Sequence, residues 1–166
     1  MQIDVKLDAN GFLPDEYAKF APEAYRVAGL PLTNFPIQIS DVPAGTQTLA
    51  VELIDYDAVP VGGFPWIHWL AANLPVGNIP ENVGNTDVAY SKGMNSTWHD
   101  TKDAPLVNQS YIGPMPPDKT HDYTLYVFAV DTKLPLTDGF FLSDFRRAIK
   151  GHVLAEVELD LPARSE

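Results

Sequence analysis

The sequence contains no cysteine, so disulfides, thiol nucleophiles and thiolate metal sites are all excluded. It also lacks any run of about 18 apolar residues, the length that a membrane-spanning helix needs. The N-terminal MQIDVKLDAN carries acidic residues where a secretory signal would have a basic patch and an apolar core. We therefore expect a cytoplasmic protein without a transmembrane segment.

Basic residues are few, since 11 Lys and Arg stand against 22 Asp and Glu and give a formal net charge of −11. This balance argues against nucleic acid or an anionic membrane as the main partner. A bound anion would have to be held locally, by backbone amides and histidines. The length of 166 residues fits a single domain, 1–166, with a full core.

Fifteen prolines and eleven glycines divide the chain into short segments rich in Val, Ile, Leu and aromatic residues. This pattern predicts a mainly β protein, an antiparallel two-sheet β-sandwich. The predicted strands lie near 2–7, 46–54, 64–73, 121–130 and 152–159. The irregular region 77–117 is long enough to line a site.

One helix is marked near the C-terminus, in LSDFRRAIKG. Ser143 is expected as its N-cap, Asp144 lies in the first turn, and Gly151 is expected to stop it. A second, short helix is predicted within PDEYAKF.

Two histidines lie on separate predicted strands. The alternation in FPWIHWLAANLP places Trp66, His68 and Leu70 on one face. The later strand places His121 and Tyr123 on one face, beside a loop stiffened by three prolines. Taken alone, each histidine favours a structural interpretation. His68 would be a core residue bonded to a backbone carbonyl, and His121 a polar residue at the start of a hairpin. The two histidines together indicate a site.

Three motifs in order, DYDA at 55–58, WIHW at 66–69 and YIGPMPPDKTHDY at 111–123, resemble those of the phosphatidylethanolamine-binding proteins, in particular the bacterial Raf-kinase-inhibitor-like branch. Members of this family bind phosphate-like head groups at one end of two antiparallel sheets, and some modulate kinases or other proteins. By resemblance, the pocket of this chain would be lined by Asp55, Asp57, Trp66, His68, Gly113, Pro114, His121 and Tyr123.

Such a pocket would bind a small anion, namely phosphate, acetate or a phosphoethanolamine-like group. The anion could accept hydrogen bonds from His68, His121 and loop amides near Gly113, and each histidine bond would be charge-assisted when the imidazole is protonated. Asp55 would favour the charged form of a histidine and orient its ring. Asp57 is assigned either to the pocket or to an Asx-type turn.

The sequence departs from the family pattern at several positions. The usual Asp-Pro-Asp-Ala-Pro is DYDAVP here, with Tyr56 and Val59 where the loop would be stiffer. The arginine that commonly follows the motif histidine is Asp122, which the alternation directs away from His121. The tail LPARSE lacks the tyrosine that commonly follows the last strand.

Two alternatives remain open at this point. A hydrolase would use His121 or His68 as general base with Asp55 as its orienting partner, yet Ser96 and Ser110 lie in no G-x-S-x-G elbow. A protein-interaction module would keep only a vestigial pocket. No spacing indicates a metal site or a cofactor, so neither is predicted. The exposed edge strands of a sandwich also allow a homodimer.

Overall fold

The computed structural model describes residues 1–166, and its largest element is a five-stranded antiparallel sheet. The strands are β1 (Gln2–Asp4), β2 (Arg26–Val27), β3 (Leu30–Pro31), β4 (Gln38–Ser40), β5 (Thr48–Asp55), β6 (Trp66–Leu74), β7 (Ser91–Lys92), β8 (His121–Val130) and β9 (Val153–Ala163). The α-helices are α1 (Val59–Gly62), α2 (Pro105–Asn108) and α3 (Leu142–Ala148). No helix combines the length and the apolar character needed to cross a bilayer.

The large sheet has the strand order β7-β6-β5-β8-β9, and two-stranded sheets pair β1 with β4 and β2 with β3. One face of the large sheet packs against the N-terminal third of the chain, including Ile3 and Ile39 of the β1–β4 sheet. The other face packs against Phe145 and Ile149, in and just after α3. The mainly β fold with antiparallel sheets and a short C-terminal helix is thus confirmed, although the second sheet is small.

The pairing of β5 with β6 contains a β-bulge. Leu53 pairs with Trp69, whereas Ile54 pairs with Ile67, so His68 is an extra residue in β6. A bulge of this kind re-aims a side chain and is common beside functional sites.

The bulge overturns the expected face of Leu70. We predicted Leu70 on the face of Trp66 and His68, but it packs on the α3 side of the sheet. Trp69 packs on the opposite side, in the core formed with the N-terminal segment. An extra residue at His68 shifts the alternation by one position, which explains the exchange.

The predicted helices differ from the structure in their ends. The N-cap of α3 is Phe141, whose backbone N–H donates to the Asp144 carboxylate at 3.0 Å, so the assignment of Ser143 as N-cap was wrong. Gly151 has φ +85° but lies beyond the last helical residue, Ala148. The segment PDEYAKF forms one 3₁₀ turn, Asp15–Tyr17.

The region 77–117 is less irregular than expected. It contains β7, α2 and the 3₁₀ turns Val83–Asn85 and Ser96–His99. Elements this short carry too little periodicity to be read from sequence.

Candidate functional site

A cavity of about 330 Å³ opens where β5 ends and β8 and β6 begin. Asp55, the last residue of β5, is paired with Trp66 on one side and with Tyr123 on the other. The antiparallel order therefore brings residues that are far apart in the chain to one end of the sheet. The predicted site residues that line this cavity are Asp55, Trp66, His68, His121 and Tyr123.

His121 lines the cavity and lies between two carboxylates. Its Nδ1 is 2.8 Å from Oδ2 of Asp55, and its Nε2 is 2.9 Å from Oδ1 of Asp118. His121 and Asp55 are buried, with 1% and 4% of their surface exposed, whereas the Asp118 side chain is about half exposed.

These two neighbours decide the charge of His121. Burial by itself disfavours the imidazolium, but hydrogen bonds to Asp55 and Asp118 and their negative charges outweigh it, so the pKa of His121 is raised. The hydrogen bond to His121 lowers the pKa of Asp118 in turn. Both ring nitrogens face carboxylate oxygens, which accept hydrogen bonds, so in this arrangement both are protonated and His121 is a charged donor.

His68 has the opposite character. It is 5% exposed, and burial lowers its pKa to about 4. Its Nδ1 lies 2.8 Å from the carbonyl oxygen of Ile112, which can only accept, so the proton of the neutral ring is on Nδ1. The charge-assisted bond considered for His68 is disfavoured, because the ring is desolvated and has no carboxylate partner of its own. Its Nε2 makes no hydrogen bond with the protein and is an acceptor.

Both histidines contact Tyr123. The His68 ring meets it edge-on, with ring centroids 4.9 Å apart, and the His121 centroid lies 6.2 Å from it. Burial, the charge of Asp55 and a hydrogen bond to Asp55 raise the pKa of the Tyr123 hydroxyl, which stays protonated. The phenol thus contacts both imidazole rings.

The structure places Asp57 outside the cavity. Its Oδ2 accepts from the backbone N–H of Asp122 at 3.1 Å and so ties the loop after β5 to the start of β8. The Asx-type bond belongs instead to Asp55, whose Oδ1 accepts from the N–H of Ala58 at 3.0 Å. Asp122 is exposed, as the alternation predicted.

Gly113 and Pro114 also lie outside the cavity lining. A Cβ on Gly113 would lie 2.4 Å from the carbonyl oxygen of Tyr17 and 2.9 Å from the Pro31 ring, so the glycine permits packing of protein against protein. Its N–H donates to the oxygen of Pro31 at 2.8 Å. The N–H of Ile112 is likewise used, by the oxygen of His68 at 2.9 Å. The expectation that these two amides are free for an anion was therefore wrong.

The sequence analysis missed Asp118, which contacts the cavity residue His121, and two apolar residues of the cavity lining, Val61 and Phe64. Asp118 stands three positions before His121, a spacing that could have indicated the contact. Val61 and Phe64 form an exposed apolar rim, 51% and 50% exposed, and Phe64 stacks on Trp66 at 5.9 Å. The rim begins in α1, where Pro60 occupies the first turn of the helix, a position that tolerates proline.

The hydroxyls considered for a hydrolase lie elsewhere. Oγ of Ser96 accepts from the N–H of Ile67 at 2.8 Å, and Oγ of Ser110 donates to the oxygen of Leu106 at 2.7 Å. Neither serine lines the cavity. The structure contains no group of three or more His, Cys, Asp or Glu side chains arranged to hold a metal ion.

Comparisons with known proteins agree on one family. The family model described as phosphatidylethanolamine-binding protein matches residues 5–163. The chain is 42% identical to YxkA of Bacillus subtilis, over 98% of this chain and 99% of that protein. It is 30% identical to a UPF0098 protein of Chlamydia muridarum, over 86% and 89%.

Two solved structures share the fold. A putative phosphatidylethanolamine-binding protein homologue from Chlamydia trachomatis, CT736, is similar with a TM-score of 0.74 and 26% identity, covering 93% of this chain and 90% of that one. YbcL of E. coli, described as a member of the mammalian PEBP family, gives a TM-score of 0.76 at 23% identity, over 99% and 98%.

Proposed function

Because the chain belongs to the phosphatidylethanolamine-binding protein family, we propose that its cavity binds a small acidic ligand such as phosphate, acetate or a phosphoethanolamine-like head group. The observation that carries this proposal is the buried His121, held by Asp55 at 2.8 Å inside an otherwise largely apolar cavity. A fixed imidazolium in such surroundings is a specific partner for an acid oxygen.

Each group of cavity residues would have a separate role in binding the ligand. Asp55 holds Nδ1 of His121 and so fixes the ring. Nε2 of His121 would donate to an oxygen of the ligand. This oxygen would replace the Asp118 carboxylate, which is the partner of Nε2 in the structure. Apolar walls from Trp66 and Ile112 limit water and strengthen the hydrogen bond. The cavity volume of about 330 Å³ suits a head group rather than a large ligand.

Replacing His121 by Ala tests the proposal. The variant should bind phosphate, acetate or phosphoethanolamine at least about tenfold more weakly in calorimetry, because a charge-assisted hydrogen bond is lost. His152→Ala is the matched control, since His152 pairs with Asp131 at 2.8 Å but lies outside the cavity. Equal affinity of wild type and His121→Ala would refute the site. Ester or phosphoester turnover that disappears in the same variant would favour the hydrolase alternative.

The exposed apolar rim favours a second candidate function, contact with a protein partner such as a regulated kinase. Tyr56, Val59, Val61 and Phe64 are each between 43% and 51% exposed beside the cavity mouth. A Tyr56→Ser/Val59→Ser variant, changed at two rim residues outside the cavity lining, should lose such a partner in a binding assay while still binding phosphate. An unchanged partner affinity would place the contact elsewhere. The homodimer stays a prediction, which sedimentation at several protein concentrations would test.

A further inference from the structure

Two histidine side chains of opposite hydrogen-bond character line the cavity. His121 is held by Asp55 through Nδ1 and is a charged donor, whereas Nε2 of His68 is an acceptor, because Nδ1 of that ring donates to the oxygen of Ile112. A fully ionised anion carries only acceptors and would leave Nε2 of His68 without a donor.

We propose that the cavity selects an acid that still carries a proton: one ligand oxygen accepts from Nε2 of His121, and the ligand O–H donates to Nε2 of His68. The ligand class is a monoprotonated phosphomonoester or phosphonate, or an undissociated carboxylic acid. This inference rests on the proposed function and adds the protonation state that the site requires.

The first support is the geometry of His68. Its Nδ1 is bound to the oxygen of Ile112 at 2.8 Å, which fixes the ring and the tautomer. Its Nε2 is left as an acceptor on a ring that lines the cavity and is 95% buried. A ligand without an O–H would displace solvent from this acceptor and leave it unpaired, which is costly, whereas a ligand O–H would pair with it. Protonation of His68 itself is opposed by burial, which holds its pKa near 4.

The second support is the charge around His121. The titratable groups that face it are Asp55 from β5, Asp118 from the turn before β8, His68 from β6 and Tyr123 from β8. Asp55 already balances the charge of the imidazolium, so a ligand dianion would meet no net positive charge even after it displaces Asp118. A monoprotonated ligand carries less charge and needs less compensation.

Asp118 acts as a built-in competitor in this arrangement. Its carboxylate lies 2.9 Å from Nε2 of His121, in the position that the ligand oxygen would take. Its side chain is 53% exposed, so it can turn into solvent when a ligand displaces it. Exposed ion pairs are weak, and the competition should cost the ligand only about 2- to 5-fold in affinity.

A matched pair of ligands isolates the proton. Methylphosphonate and methanesulfonate have the same shape and, near about pH 6, are both largely monoanions, but only the phosphonate keeps an O–H. Calorimetry with the wild-type protein should show at least about tenfold tighter binding of methylphosphonate, because methanesulfonate leaves Nε2 of His68 unpaired. Methylphosphonate affinity should also fall as the pH rises and the ligand loses its proton.

Variants separate the two parts of the inference. His68→Gln has an amide that can donate, so the preference for methylphosphonate should shrink toward equality. Asp118→Asn should bind both ligands about 2- to 5-fold more tightly and keep the preference. Equal affinity of the wild type for both ligands would overturn the inference and leave the proposed function intact. Binding of neither ligand would overturn both, and the wild-type comparison stands even where His68→Gln fails to fold.

Discussion

Glu52 allows a quantitative prediction about stability. Its side chain is fully buried in β5 and pairs with Arg146 of α3, while its Oε1 has no hydrogen-bond partner. Burial raises the pKa of Glu52 from 4.5 to about 7, and the attraction of Arg146 offsets this only in part. The folded protein therefore binds this proton more tightly than the unfolded chain does.

The sign and size of the effect follow from linkage. A raised pKa gives stability that is fully present below about pH 4.5 and is lost as the pH rises through about 7. The change from 4.5 to about 7 corresponds to about 3 kcal/mol of unfolding free energy. Glu52→Gln keeps the shape and cannot ionise, so it should not show this loss.

Urea unfolding of wild type and Glu52→Gln near pH 5 and pH 8 measures the difference. The difference in unfolding free energy, Glu52→Gln minus wild type, should increase by about 2–3 kcal/mol from pH 5 to pH 8. Glu158→Gln, at an exposed position of β9, is the control and should follow wild type. If Glu52→Gln and wild type change in parallel with pH, the burial argument for Glu52 is wrong.

Two further predictions concern the cavity and the loop beside it. Gly113→Ala should lower the unfolding free energy in urea by about 1–3 kcal/mol, since the new Cβ meets the backbone oxygen of Tyr17. Gly62→Ala, where a Cβ has no atom within 4 Å, should change it by less than about 0.5 kcal/mol, and an equal loss in both would contradict the steric reason. The ring resonances of His68 should titrate in NMR with a midpoint near 4, and a midpoint at the ordinary value of 6.5 would show that burial does not control this ring.

Three long strands could be predicted from the sequence because they are runs of Val, Ile, Leu and aromatic residues between prolines and glycines. The interval 121–130 is the strand β8 in the structure, and β5 and β6 lie within one or two residues of their predicted ends. The bulge at His68 could not be predicted, because β6 is apolar on both faces. A strand without alternation gives no signal when its register shifts.

Only those contacts of the site whose two residues both lie in the family motifs could be predicted from the sequence. The contact between Asp55 and His121 follows from the resemblance, since strands far apart in sequence must meet for it to form. Asp118 was missed because an aspartate in a polar turn usually faces solvent. The role of Gly113 depends on Tyr17 and Pro31, and nothing in the local sequence indicates that contact.

The central claim is that His121 binds an acid oxygen in this cavity, and a crystal structure of the protein with methylphosphonate tests it most directly. The account predicts a phosphonate oxygen within hydrogen-bond distance of Nε2 of His121, a second one at Nε2 of His68, and the Asp118 carboxylate turned away. A structure grown at saturating methylphosphonate in which Asp118 still occupies Nε2 of His121 and no phosphonate lies in the cavity would contradict it.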